Sequence, residues 1–308
     1  MLRLENISVR FGLPDNPPVV NDISLTVEPL DKIGIVGETG SGKSVLLLAM
    51  LQMLPESALV SGRLLLDNRD VLKMSKKEIT QIRGKTISYV PQGSANGLNP
   101  LLNIGYQVGE PLTQHTKLKG KEAREKIIGT LKSFDIGEEE KLVKFYPHSL
   151  SGGMKQRVLI AMGVIAGSPI IFVDEPTKGL DTRRINMVIE SFKLLDDRTI
   201  LCVTHDLRFA RQIAGKIAVM YAAQQVEFAD KEDFFREPLH PYSQALLQAL
   251  PENGLHVNMG FAPPGSEHTV NAGCLFADRC TVKTARCRQN PPLTDVRGRK
   301  VRCWNYVD

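Results

Sequence analysis

The stretch GETGSGKS, Gly37 to Ser44, lies between the apolar run Ile33 to Val36 and the run VLLLAMLQML. It fits G-x-x-x-x-G-K-[ST], the frame of a phosphate-binding loop between a strand and a helix. Glycines at 37, 40 and 42 let the backbone curl so that its N–H groups point inward at phosphate oxygens. Glu38, Thr39 and Ser41 fill the variable positions of the same cradle. The following helix presents its positive N-terminal end to that charge. In this frame Lys43 reaches the β- and γ-phosphates, and the Ser44 hydroxyl ligates Mg²⁺.

The rest of the chain must supply the remaining groups of a nucleotide site. Its 308 residues allow one large domain or a domain with an appendage, and 42% hydrophobic with 24% charged residues is ordinary globular composition. Charge interrupts MLRLENISVR at once, unlike a secretory leader. The longest apolar stretch, Val158 to Val173, is punctuated by Gly163, Gly167 and Pro169 and is short for a membrane helix, so it reads as a core helix running into a buried strand. The net charge of +5 is uneven: Cys274 to Cys303 holds eight Lys or Arg and two Asp, leaving 31 basic against 32 acidic residues elsewhere. A nucleic-acid partner would call for a basic patch on the main domain, so none is expected.

Short alternating runs, LRLENISVRF and ISLTV, precede KIGIVG and the loop, and period-two alternation predicts strands. RLLLD, TISYV, IIFVD, TILCVTH and KIAVMY read the same way, several as continuous apolar runs suited to a sheet covered on both faces. Helical spacing dominates AREKIIGTLKSF and GGMKQRVLIAMGVIA. The fold class is therefore α/β, with a helical lobe at about residues 92–166 inserted in a sheet core.

In IIFVDEP, Ile170 to Pro176, an apolar strand ends on Asp174, which places a carboxylate at the sheet edge as a second magnesium ligand. Glu175 follows it and is positioned to polarise an attacking water as general base.

LSGGMKQR, Leu150 to Arg157, resembles the signature motif of ABC-type ATPases, and it lies between the two nucleotide motifs as theirs does. Gln92 in VPQGSANGLNP resembles the Q-loop glutamine, Asp181 in KGLD the D-loop aspartate, and His205 in VTHD the switch histidine. Phe11, 26 residues before Gly37, stands where these proteins stack a ring on adenine. The resemblance spans about residues 1–230 and implies a P-loop ATPase core with an antiparallel β subdomain beside the helical one. It implies that Ser151, Gly152 and Gly153 complete the ATP site of a second subunit, so that two ATP molecules join a paralogous or identical pair. It assigns His205 to the γ-phosphate, and Gln92 to Mg²⁺ and to coupling with a partner's helix.

EPLHPYSQALLQALP, Glu237 to Pro251, resembles the sequence that follows the core in ATPase subunits of oligopeptide, dipeptide and nickel importers, and Met154 suits the first of their two ATPase subunits. Residues 231–253 then form a linker and helix, and 254–308 a small Cys-rich domain. Cys274, Cys280, Cys287 and Cys303 fall as C-x5-C-x6-C-x15-C, a spacing that alone names no metal. The same pattern in peptide-importer subunits can hold a [4Fe–4S] cluster, which ranks here ahead of zinc and of metal-free thiols. The surrounding Lys and Arg would offset its negative charge. Cys202 in TILCVTH reads as a small core residue.

The resemblance thus implies an ATPase on the cytoplasmic face of the cell membrane. Its implied partners are two transmembrane permease subunits and an extracytoplasmic substrate-binding protein. The alternative is a soluble ABC ATPase of DNA repair or translation, though those carry two cores or a long coiled coil. Departures are Thr177-Lys178-Gly179-Leu180-Asp181 for T-x-A-L-D, Tyr221-Ala222-Ala223-Gln224 for Y-A-G-Q, and a short segment between Leu255 and Gly273.

Overall fold

The computed structural model describes residues 1–93, 97–254, 260, 262–263 and 273–307. In chain order its first elements are β1 (Leu2–Phe11), β2 (Val20–Val27), β3 (Lys32–Val36), α1 (Lys43–Met50), β4 (Ala58–Leu66) and β5 (Arg69–Asp70). Next come α2 (Lys76–Ile82), β6 (Ile87–Val90), α3 (Ile104–His115), α4 (Gly120–Ser133), α5 (Glu139–Leu142), α6 (Gly152–Val164), β7 (Ile170–Asp174), α7 (Thr182–Lys193) and β8 (Thr199–Thr204). The last are α8 (Leu207–Ile213), β9 (Lys216–Tyr221), β10 (Gln224–Asp230), α9 (Lys231–Arg236), α10 (Pro241–Gln248), β11 (Thr294–Val296) and β12 (Arg299–Val301).

The chain divides into two units, Met1–Met74 with His205–Asp308, and Ser75–Thr204. In the first, the strand order is β5-β4-β1-β2-β10-β9-β3. β1 buries Leu2 and Leu4, then Ile7 and Val9. The parity changes because a bulge lies between Leu4 and Ile7, where Asn6 takes φ 52. Asparagine tolerates that left-handed backbone, and the extra residue keeps both halves of the strand facing the core.

β10 pairs with β9 along one edge, while its other edge meets β2 at Gln224↔Asn21 and then β12 at Glu227↔Val301. β12 pairs in turn with β11, so the C-terminal segment is built into this unit's sheet. Tyr221, Phe234, Tyr242 and Phe276 share one buried cluster with Val36, the residue before the loop.

In the second unit, β6, β7 and β8 run parallel, with Val90↔Val173 and Val173↔Cys202 in register. Every residue of β7 and β8 is buried, as strands covered on both faces require. Helices α3 to α6 occupy the stretch where helical spacing predicts them, and α6 runs into β7 through a turn as expected. No helix among the described residues is long and apolar enough to cross a membrane.

Candidate functional site

In the first unit the loop leaves β3 and enters α1 with Gly37, Gly40 and Gly42 at φ 151, 87 and 92. Two of these positions admit no side chain: a Cβ on Gly37 would lie 2.0 Å from Met220 O, and one on Gly42 2.2 Å from Val19 O. Lys43 is 5% exposed, and its ammonium folds back over the loop. It donates to Gly37 O at 2.9 Å, Glu38 O at 2.7 Å and Ser41 Oγ at 3.3 Å. A cation so placed defines the cradle's shape and supplies a charge for an anion to meet. Ser44 is half-buried on the first turn of α1, Phe11 is half-buried at the end of β1, and His205 is exposed just beyond β8.

Two residues that sequence reasoning missed hold the same loop. Tyr242 Oη accepts the Glu38 N–H at 2.9 Å. Arg279 Nη1 donates to the Glu38 carboxylate at 2.9 and 3.2 Å and to Tyr221 Oη at 3.3 Å. Neither has a local sequence signal, because Glu38 lies more than two hundred positions from both.

In the second unit the acidic pair sits at the carboxyl end of parallel strands, where open α/β sheets place their ligands. Asp174 is 2% exposed, and Tyr89 Oη donates to its Oδ2 at 3.2 Å. Burial, and then the charge of Asp174, push the Tyr89 hydroxyl far above its ordinary pKa, so it stays a donor. Tyr89 was also missed, because its partner lies 85 positions away. Glu175 takes φ 46 with its N–H on Val203 O at 2.9 Å. A left-handed glutamate costs about 1–2 kcal/mol. Gln92 is exposed two residues past β6, beyond the same end of the sheet as Asp174. Buried Cys202 lies in β8 as a core residue, its thiol pKa raised by burial and then by Glu175 and Asp174.

The signature segment opens α6. Ser151 is the N-cap, its Oγ accepting the Met154 N–H at 3.3 Å, and Gly152 and Gly153 form the first turn. Asp181 caps α7 in the same way, accepting the Arg184 N–H at 3.0 Å. Arg184 joins the two, pairing with Asp181 at 3.3 Å while its stem stands 3.2 Å from where a Gly153 Cβ would be. The Arg184 side chain thus lies against the N-termini of both α6 and α7.

No disulfide joins the cysteines of the C-terminal segment. Cys274 N–H donates to Cys287 O at 2.9 Å, and the Thr284 N–H reaches Cys287 Sγ at 3.5 Å. Burial first, and then the other three thiols, push Cys274 up to about 11. Burial also raises Cys280 and Cys303. Among the described residues no group of three or more His, Cys, Asp or Glu is arranged to hold a metal ion. The expected cluster thus has its donors in one segment without a preformed cage.

Three of the segment's eight basic residues pair with acids outside it. Arg279 pairs with Glu38, Arg299 with the fully buried Glu227 at 2.8 Å, and Arg302 with Asp22 at 2.8 Å. These three guanidiniums fasten the segment to residues of β2, the loop and β10.

Comparison with known proteins adds the following. Residues 20–178 match the ABC transporter family, and residues 226–287 match the oligopeptide/dipeptide transporter C-terminal region. The chain is 35% identical to the oligopeptide transport ATP-binding protein AppD of Bacillus subtilis, over 100% of this chain and 97% of that one. It is 36% identical to the dipeptide transport ATP-binding protein DppD of Haemophilus influenzae, over 98% and 94%. Among solved structures, the ATP-binding cassette MJ0796, a dimer in a post-hydrolysis state with ADP and Pi, superposes with a TM-score of 0.66. It is 28% identical and covers 75% of this chain and 99% of that one.

Proposed function

The chain belongs to the ABC transporter family, and on that premise we propose that it is the ATP-hydrolysing subunit of an importer for small peptides. The observation that carries this reading is the pairing in one chain of an ABC transporter match with a match to the oligopeptide/dipeptide transporter C-terminal region. A cassette alone does not say which transporter it drives. The nickel alternative rests on resemblance only, and the peptide reading is favoured by the names of the relatives.

The reaction is ATP and water to ADP and phosphate. The loop N–H groups and Lys43 hold the phosphates, and Phe11 stacks on adenine. By resemblance to the family, Ser44, Gln92 and Asp174 would supply hard oxygen donors, a set that suits magnesium. Magnesium bound there would neutralise charge on the phosphate oxygens. Glu175 takes the water's proton, and His205 steadies the γ-phosphate. Ser151 and Gly153 act on the nucleotide of a second subunit, with Asp181 beside them. The partners are two permease subunits and an extracytoplasmic binding protein, with this chain on the cytoplasmic face of the membrane.

Cys274, Cys280, Cys287 and Cys303 are assigned to a [4Fe–4S] cluster, with zinc as the second occupant. Four thiols within one another's electrostatic reach support the donor set. Iron and sulfide analysis of anaerobically purified protein tests it, and stoichiometric zinc without iron would reassign the site.

For the main reading, membranes containing the reconstituted importer should release phosphate faster when peptide-loaded binding protein is added. A rate indifferent to peptide would reject peptide import. Co-purification with ribosomes or DNA rather than with permease subunits would favour the soluble alternative.

A further inference from the structure

Glu38 is an odd residue for its place. A carboxylate on the second residue of a phosphate cradle repels the anion that the cradle exists to hold. Every polar group of Glu38 is committed elsewhere: its N–H to Tyr242 Oη, its carbonyl to Lys43 and its carboxylate to Arg279. Arg279 is itself held rigidly. Its side chain is 10% exposed, and its guanidinium carbon lies 5.6 Å from the Tyr221 ring centre and 5.5 Å from that of Phe276. Phe276 is 2% exposed and meets Tyr221 edge-on at 5.3 Å. A guanidinium between two aromatic faces keeps its charge and loses its rotamer freedom.

We infer that Arg279 of the C-terminal segment is a positioning residue for ATP, cancelling the Glu38 charge and holding that carboxylate off the phosphates. The inference rests on reading Gly37 to Ser44 as the nucleotide loop. It gives the cysteine segment a direct hold on the ATP site, since Arg279 is flanked by Cys280 and stacks on Phe276, two residues after Cys274.

The test is nucleotide binding by the purified full-length chain, with phosphate release measured in parallel. Unmodified protein that fails to bind ATP would reject the loop reading itself. Given binding, Arg279→Ala should weaken ATP affinity on the order of tenfold, and ADP affinity less, because the repulsion scales with phosphate charge. The loss should shrink as salt is raised. The apparent KM should rise while kcat at saturating ATP changes little, and Glu38→Gln in the same chain should restore most of the affinity. A loss equal for ATP and ADP and unrescued by Glu38→Gln would reduce Arg279 to a structural anchor and overturn the inference. If Arg279→Ala does not fold, Glu38→Gln alone decides. It leaves the Arg279 charge uncompensated beside the loop and should tighten ATP binding, whereas unchanged or weaker binding refutes the proposal.

Discussion

Tyr89 Oη donates a hydrogen bond of 3.2 Å to Asp174 Oδ2, linking a hydroxyl on β6 to the carboxylate at the end of β7. The bond restrains the carboxylate's rotation. Tyr89→Phe keeps the ring packing and removes only the donor. It should raise the magnesium concentration for half-maximal ATPase on the order of tenfold, the usual cost of losing an outer partner of a metal ligand. An unshifted magnesium titration would leave Tyr89 with packing alone.

Glu175→Gln has nearly the same shape and the same left-handed backbone, φ 46 in the parent chain, so the change isolates the charge. ATP should still bind, while phosphate release falls by a factor on the order of 100 to 10,000, as expected for a lost general base. Steady-state hydrolysis at the parent rate would remove Glu175 from that role.

Ser151→Arg places a long cation at the exposed cap of α6. Binding of ATP by the single subunit should persist, and ATP-dependent pairing of the Glu175→Gln form should vanish on a sizing column. The paralogous subunit belongs in the same experiment. Pairs that survive the change would exclude Ser151 from a composite site.

Ala222 and Ala223 join β9 to β10 as a two-residue turn with φ 44 and 70. Both values belong to the turn type that favours glycine, so the departure from Y-A-G-Q has a backbone cost. Ala223→Gly should stabilise the chain by about 1 kcal/mol, or about 2 °C in Tm. A lower Tm would show that the methyl's burial outweighs the strain.

His240 is 2% exposed and caps α10, its Nδ1 accepting the Tyr242 N–H at 3.0 Å. Burial, helped by the charge of Arg302 and opposed by a bond to the Arg302 backbone, pushes its pKa down to about 3. Glu227 faces it as well, accepting its backbone N–H. The unfolded chain takes up a proton near its ordinary value of 6.5, which the folded chain refuses until about 3. Stability is therefore full above that upper value and is lost as pH falls through the window, by about 2 kcal/mol at pH 5. His240→Asn keeps a capping side chain without the titration. Its urea midpoint should vary less between pH 7 and pH 5 than the parent's, and equal slopes would place the acid sensitivity elsewhere.

What was legible in the sequence was contiguous. The loop, the Asp174-Glu175 pair and the signature segment each carry their chemistry within eight residues, and the apolar strands β7 and β8 announce their burial. β10 was not read as a strand because QQVEFAD places Gln225 and Glu227 where a core strand should be apolar. The Ser24 N–H, 201 positions earlier, donates to Gln225 Oε1 at 3.2 Å, and Arg299, 72 positions later, pairs with Glu227 at 2.8 Å. Tyr89, Tyr242 and Arg279 were missed for the same reason. Each is defined by a partner distant in sequence, and a lone polar side chain does not disclose it.

The division of the chain has a consequence for its synthesis. Residues 75–204 are continuous and can fold as they leave the ribosome, but the nucleotide-loop unit is built from both ends. β2 waits for β10, and Glu38 waits 241 positions for Arg279. At roughly 5–20 residues per second, the nascent loop spends on the order of 10 to 50 s without its charge partner. The nucleotide-loop unit therefore cannot be completed before its C-terminal strands are made, and a chain truncated before Arg279 should lack the charge partner of Glu38.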